Sequence, residues 1–226
     1  MKKEWAQSIV KINSLSNGKE AKSVRPPNLG WIEYELNQKE LDYVWRCVEN
    51  AKGDYRDKLA GCVKSSMKMV DRGDWFYQNV IRHLVDQYAK DFGNMGSDAP
   101  VVQRHPYTMG QWWVNYQRQN EFNPLHSHTG IYSFVIWLKV PTHYNQQSKL
   151  PIAHKSNSGC ISNFQLLYAD ILGRNQMHNF PMDPSMEGKM LLFPSKLMHC
   201  VYPFYNCEEE RVSVSGNILI NTTKTL

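Results

Sequence analysis

Apolar positions along the chain change their spacing near residue 99. On the N-terminal side the spacing is helical. Leu41, Val44, Trp45 and Val48 recur at three- and four-residue intervals, and Asn37 followed three positions later by Glu40 has the form of a capping box, which predicts a helix opening at Asn37. A longer helix is predicted after Asp74, where Phe76, Val80, Ile81, Leu84, Val85 and Tyr88 make one apolar face that stops near Gly93. Ahead of both, residues 1–30 are polar, close on Pro26-Pro27-Asn28-Leu29-Gly30 and read as an extended arm and a turn. Trp31, Ile32, Tyr34 and Leu36 then form a short strand-like run.

Beyond residue 99 the pattern is one of short β-branched and aromatic runs separated by turn residues: Gln111 to Arg118, Ile131 to Val140, Gly159 to Tyr168, Lys189 to Phe193, His199 to Phe204 and Arg211 to Ile220. Strands in such number without helices between them predict a sandwich or barrel. The polar stretch Thr142 to Ser158 interrupts the series and reads as a long mobile flap over a pocket. The expected architecture is mainly β with N-terminal helices (α+β) in one domain, with residues 1–98 as arm and helical support and residues 99–226 as the β core.

Bulk properties narrow the function classes. With 226 residues, 42% hydrophobic and 21% charged, the chain has ample material for a packed core. A formal charge of +5, spread over both halves, does not predict a nucleic-acid partner. No apolar run approaches the length of a membrane span, and Met1 to Trp5 lead into no apolar targeting segment. The five cysteines, Cys47, Cys62, Cys160, Cys200 and Cys207, are odd in number and lack CxxC spacing, which fits free thiols and a cytoplasmic location. Oligomeric state is not legible.

Candidate chemistry begins with Asn123-Pro124-Leu125-His126-Ser127-His128-Thr129-Gly130. On an extended chain His126 and His128 point to one face and can reach a single metal ion, whereas on a helix they would diverge. Two surface histidines in a turn after Pro124 are the competing reading. A second string runs from Gly188 to His199, where Pro194 stops an apolar strand and a turn returns the chain at His199. Alone, His199 reads more readily as a satisfied core histidine than as a ligand, and it gains weight only from its neighbours. Third is Arg211-Val212-Ser213-Val214-Ser215, whose alternation puts Arg211, Ser213 and Ser215 on one face. If residues 199–204 and 211–216 pair as a hairpin, His199 and Arg211 lie opposite each other. An inward arginine needs an anion, either a bound carboxylate or, at a surface edge, Glu208, Glu209 or Glu210.

Together, His126-x-His128, Phe193-Pro194-x4-His199 and Arg211-x-Ser213 resemble the 2-oxoglutarate- and Fe(II)-dependent oxygenases, over roughly residues 100 to 220. The likeness is to a branch of small bacterial and phage members loosely similar to prolyl hydroxylases. It implies a double-stranded β-helix (jelly roll, cupin-like), Fe(II) held by His126, His128 and His199, and 2-oxoglutarate clamped by Arg211 and Ser213. It also implies dioxygen as oxidant, ascorbate as an optional reductant, and hydroxylation of a small-molecule or peptide substrate. The three histidine nitrogens are then expected within about 4 Å of one another. Most members carry Asp or Glu where this chain has His128. A neutral imidazole there leaves the iron one unit more positive after 2-oxoglutarate binds, which makes electron donation to dioxygen harder.

Trp112, Trp113, Tyr116, Tyr132 and Trp137 alternate with polar residues near the first histidine string and read mainly as core. Tyr116 and Tyr132 are the phenols expected to reach a co-substrate carboxylate, with Asn115 and Asn123 as weaker candidates. His105, His143, His154 and His178 lie in turn-rich stretches and read as surface residues. A cupin-like metalloprotein that does not use 2-oxoglutarate, and a non-catalytic binding module on the same barrel, are the two alternatives. Arg211 discriminates the oxygenase from the cupin-like protein, and metal content discriminates it from the non-catalytic module.

Overall fold

The computed structural model describes residues 9–25 and 28–225. The predicted arm therefore falls partly outside the described residues, at 1–8 and 26–27. Its described part is a hairpin of β1 (Ile9–Ser14) and β2 (Glu20–Arg25), a correction to the extended reading. β3 (Ile32–Glu35) follows and leads into α1 (Gln38–Glu49). The predicted capping box is formed: Glu40 N–H donates to Asn37 Oδ1 at 3.1 Å and Asn37 N–H to Glu40 Oε2 at 2.9 Å. After β4 (Ser65–Met69), the Asp71 carboxylate accepts from Phe76 N–H and Tyr77 N–H, opening the second helix. A π turn over Tyr77–Ile81 runs into α2 (Arg82–Phe92), which stops at Gly93, where φ is +90°.

The rest is β, as expected from the short aromatic and β-branched runs. In chain order come β5 (Tyr107–Gln117), β6 (Asn123–His126), β7 (Tyr132–Lys139), the short helix α3 (Tyr144–Gln147), β8 (Phe164–Ala169), β9 (Asn175–Phe180), β10 (Lys189–Pro194), β11 (Met198–Val201) and β12 (Arg211–Ile220). Two antiparallel sheets result, one ordered β3-β10-β7-β12-β5-β4 and the other β6-β11-β8-β9. This is the double-stranded β-helix. β4, β6 and β9 are polar or short, and carry no hydrophobic alternation from which to predict them.

Alternation along the six-stranded sheet divides its two faces. Trp112, Val114, Phe134, Ile136, Leu138, Val212 and Val214 face outward into a core shared with Val44 and Val48 of α1 and Leu84, Val85 and Tyr88 of α2. Val135, Trp137, Leu191 and Phe193 face inward and meet Phe164, Leu166 and Phe180 of the second sheet. The polar residues of that inner face have nowhere to go but the space between the sheets.

One topological expectation is corrected. Residues 199–204 and 211–216 do not pair: β11 lies in the four-stranded sheet between β6 and β8, whereas β12 lies between β5 and β7 in the other. β11 stops at Val201, two residues before Pro203, which has no N–H to extend a ladder. Both edges of β12 are already occupied, so the connection crosses from one sheet to the other.

Candidate active site

His126 and His199 are direct cross-strand partners on β6 and β11. His128 lies just past β6, where its N–H donates to Ser195 O at 2.8 Å and its carbonyl accepts from Lys196 Nζ at 3.2 Å. The turn that returns the chain after Pro194 thereby holds the second histidine beside the third. One ligand nitrogen from each ring falls within 4.8 Å of the other two; His128 Nε2 and His199 Nε2 are 3.1 Å apart. The cluster is somewhat looser than the expected 4 Å.

The Nδ1 atoms of two rings are spoken for by backbone carbonyls: His126 Nδ1 lies 2.7 Å from Pro124 O and His199 Nδ1 2.9 Å from Leu197 O. Each contact places the proton on Nδ1 and leaves Nε2 bare, the tautomer a metal requires. Phe193 and Phe164 flank His199, and Trp113 flanks His128, with ring centroids 5.1, 5.7 and 5.7 Å away. This apolar shell disfavours imidazolium. Burial, helped by the nearby His126, pushes His128 down to about 4 and His199 to about 3.

Arg211 enters the same cavity from the opposite sheet, cross-strand from Gln117. It is 2% exposed. Its Nη2 donates to Ser162 O at 2.9 Å and Ser162 Oγ at 2.7 Å, its Nη1 to Gln117 Oε1 at 3.3 Å, and its guanidinium carbon lies 4.9 Å from the Phe204 ring centroid. Nε has no partner, and among the described residues no Asp or Glu lines the cavity. Burial lowers its pKa to about 9, so it is still charged at neutral pH. A buried cation with a free donor and only neutral acceptors is poised for a carboxylate. The surface-edge alternative is excluded, because Glu209 pairs with Lys139, Glu210 with Arg118, and Gln119 donates to Glu208.

The cavity is narrow, with an interior volume of about 50 Å³, and it opens to solvent. Ser213, Ser215, Asn115 and Asn123 line it alongside the three histidines and Arg211. Two expectations fail here. Tyr116 and Tyr132 have the opposite parity to the inward residues of their strands: both pack in the helix-facing core, and the Tyr132 hydroxyl accepts from Met95 N–H. Thr142 to Ser158 does not cover this cavity either. Gln147 of α3 is buried and exchanges hydrogen bonds with the Tyr205 backbone, which pins the segment on a separate hollow beside Tyr202 and Pro203. The cavity wall comes instead from Leu59, Ala60, Gly61 and Val63, joined to β6 through Cys62 N–H and Phe122 O. A Cβ on Gly61 would collide with Asn123 Oδ1, so any larger residue must displace that side chain or the wall itself.

Gln117 and Ser162 were not anticipated. Gln117 shares the parity of Asn115 and could have been found by it, whereas Ser162 sits in a turn at φ +63° and reaches Arg211 only through the fold. His105, His143, His154 and His178 lie outside the cavity as expected, with His178 packed between Trp31 and Phe180.

Residues 111–217, from β5 to β12, match the family described as "Putative 2OG-Fe(II) oxygenase". Over that stretch the chain is similar to the 2-oxoglutarate/Fe(II)-dependent oxygenases. Among solved structures, an oxidoreductase of the 2OG-Fe(II) oxygenase family from Burkholderia pseudomallei aligns with a TM-score of 0.53 at 12% identity, covering 84% of this chain and 85% of that chain. Two others score lower. A Pseudomonas putida prolyl-4-hydroxylase gives 0.47 at 14% identity, covering 85% and 94%. A viral collagen prolyl hydroxylase from Paramecium bursaria Chlorella virus-1 gives 0.48 at 11%, covering 83% and 94%. No curated protein matches the sequence. The matched family is one with Fe(II) and 2-oxoglutarate as cofactors. The residues of this chain fit them: three imidazole nitrogens suit a divalent iron, and the unpartnered donor of Arg211 suits a carboxylate.

Proposed function

We propose that His126, His128 and His199 hold Fe(II), that Arg211 with Ser213 receives the remote carboxylate of 2-oxoglutarate, and that the enzyme hydroxylates a small-molecule or peptide substrate. The observation that carries this reading is Arg211, a fully buried guanidinium without an acidic partner in the cavity that contains the three histidines. When bound, iron with 2-oxoglutarate and dioxygen supplies the oxidising power. The protein's residues do the rest. Pro124 O and Leu197 O hold two imidazoles in the metal-binding tautomer. Ser162 and Gln117 aim the guanidinium, and Ser66 donates to Asn115 Oδ1 at 2.7 Å, fixing a neighbouring amide. Trp113, Phe164 and Phe193 exclude water and strengthen each polar contact within.

The prolyl-hydroxylase tilt rests on resemblance alone. Two further assignments belong to the same reading. The chain acts as one domain, supported by the core that joins both helices to the six-stranded sheet. It works in the cytoplasm, supported by five unpaired cysteines; among the described residues no helix is long and apolar enough to cross a membrane.

The decisive test is anaerobic addition of Fe(II) and then 2-oxoglutarate, followed by optical spectroscopy. A metal-to-ligand charge-transfer band that needs both components, and succinate formation once oxygen is admitted, are expected. A protein that binds metal but never develops the band belongs with the cupin-like reading. One that binds no metal belongs with the non-catalytic one.

A further inference from the structure

Among the described residues, Arg211 is the sole charged side chain lining the cavity apart from the titratable histidines, and no carboxylate faces it. Lys196 adds to the positive field: its ammonium donates to the His128 carbonyl at 3.2 Å, is exposed, and makes no ion pair among the described residues. Imidazoles ligate metals in their neutral form, so the three histidines contribute no charge once a metal is bound. With iron and 2-oxoglutarate held as proposed under the function, an assignment on which the second site depends, iron brings two positive charges and Arg211 one, and 2-oxoglutarate offsets two. One positive charge is left between walls formed by Trp113, Phe164 and Phe193, where an uncompensated charge is costly.

We propose that the cavity takes a second, singly charged anion together with 2-oxoglutarate, next to His126, His128 and His199. The anion is either the charged group of a monoanionic substrate, such as its carboxylate, or a small inorganic ion bound with the substrate. In both cases the shared chemistry is one negative charge that no residue of the cavity supplies. The enzyme thereby selects against neutral and cationic substrates at the metal, unless an inorganic anion comes with them.

Co(II) gives the test a readout that does not depend on turnover, because its visible spectrum changes with its ligands. Co(II)-loaded protein, saturated with 2-oxoglutarate, is titrated with azide, chloride and acetate. A saturable spectral change with at least one anion is expected. Tightest binding of acetate assigns the charge to an organic carboxylate; tightest binding of azide or chloride assigns it to an inorganic ion. In His128→Asp the added carboxylate supplies the missing charge, and the same anion should bind at least about tenfold more weakly. Lys196 is exposed, so Lys196→Glu should fold, and at Co(II) saturation it should weaken the anion severalfold. If wild-type protein binds Co(II) and 2-oxoglutarate but no anion, or if both variants keep wild-type anion affinity, the second-anion site is overturned and the proposed function stands. Failure to bind Co(II) or 2-oxoglutarate overturns both.

Discussion

His128 Nε2 and His199 Nε2 lie 3.1 Å apart, although the two residues are separated by 71 positions in the chain. The Leu197 carbonyl holds the proton of His199 on Nδ1, so its Nε2 meets His128 as a bare acceptor. A divalent ion shared with His126 turns this crowding into coordination. His199→Ala should lower Fe(II) affinity at least about a hundredfold, and His126→Ala should do the same, since two imidazoles cannot replace three. Metal content after dialysis against a weak chelator measures it. Full iron retention in both variants would move the metal elsewhere.

Arg211→Ala should weaken 2-oxoglutarate binding by roughly 2 to 4 kcal/mol, about thirty- to a thousand-fold, with metal uptake nearly intact. Arg211→Lys should fall between, because an ammonium cannot reproduce the fork that Ser162 and Gln117 now orient. Titration of the charge-transfer band gives the affinity, and circular dichroism checks the fold. Unchanged affinity in the alanine variant would remove the carboxylate clamp.

Two pH limits arise at the site. His128 and His199 are held near 4 and 3, below the ordinary histidine value, so the unfolded chain takes up protons first as pH falls. Their contribution to the stability of the metal-free protein is fully present above about pH 6.5 and is lost as pH falls through 4 and 3, by several kcal/mol in all. Urea midpoints measured from pH 7 to pH 4 should decline, and His199→Phe should flatten the curve. At the other end Arg211, lowered to about 9, loses its charge as pH rises past that value, and 2-oxoglutarate affinity should drop with it. Affinity that holds to pH 10 would show that the guanidinium keeps its proton.

Gly61→Ala drives a methyl group into Asn123 Oδ1 and must push the 59–63 wall or the Asn123 side chain aside. A cavity change without global unfolding is expected: 2-oxoglutarate or substrate affinity should fall severalfold, with a stability loss of about 1–3 kcal/mol. Affinity equal to wild type would mean that the wall does not shape the site.

Asn37→Ala removes one half of the α1 capping box and should cost about 1 kcal/mol in chemical denaturation. Fe(II) and 2-oxoglutarate affinities should not change, because α1 packs on the outer face of the six-stranded sheet. A loss of ligand affinity as large as the loss of stability would tie the helical layer to the site more closely than this packing implies.

Local periodicity determined much of this protein. Asn37 with Glu40, the apolar face from Phe76 to Tyr88, and the alternation of Arg211, Ser213 and Ser215 are all properties of residues a few positions apart, and the helices, the inner face of β12 and the shared direction of the histidines came from them. Even Tyr116 could have been ruled out by parity, had Asn115 and Gln117 been taken as the inward set of β5, and Tyr132 likewise from Val135 and Trp137 on β7. Only the tertiary structure decided that β11 and β12 belong to different sheets, that His199 and Arg211 meet across a cavity instead of along a hairpin, and that residues 59–63 rather than 142–158 wall it. Strand partners far apart in the chain are chosen by which edges remain free and which faces can be buried together, and neither is encoded in the spacing of neighbouring residues.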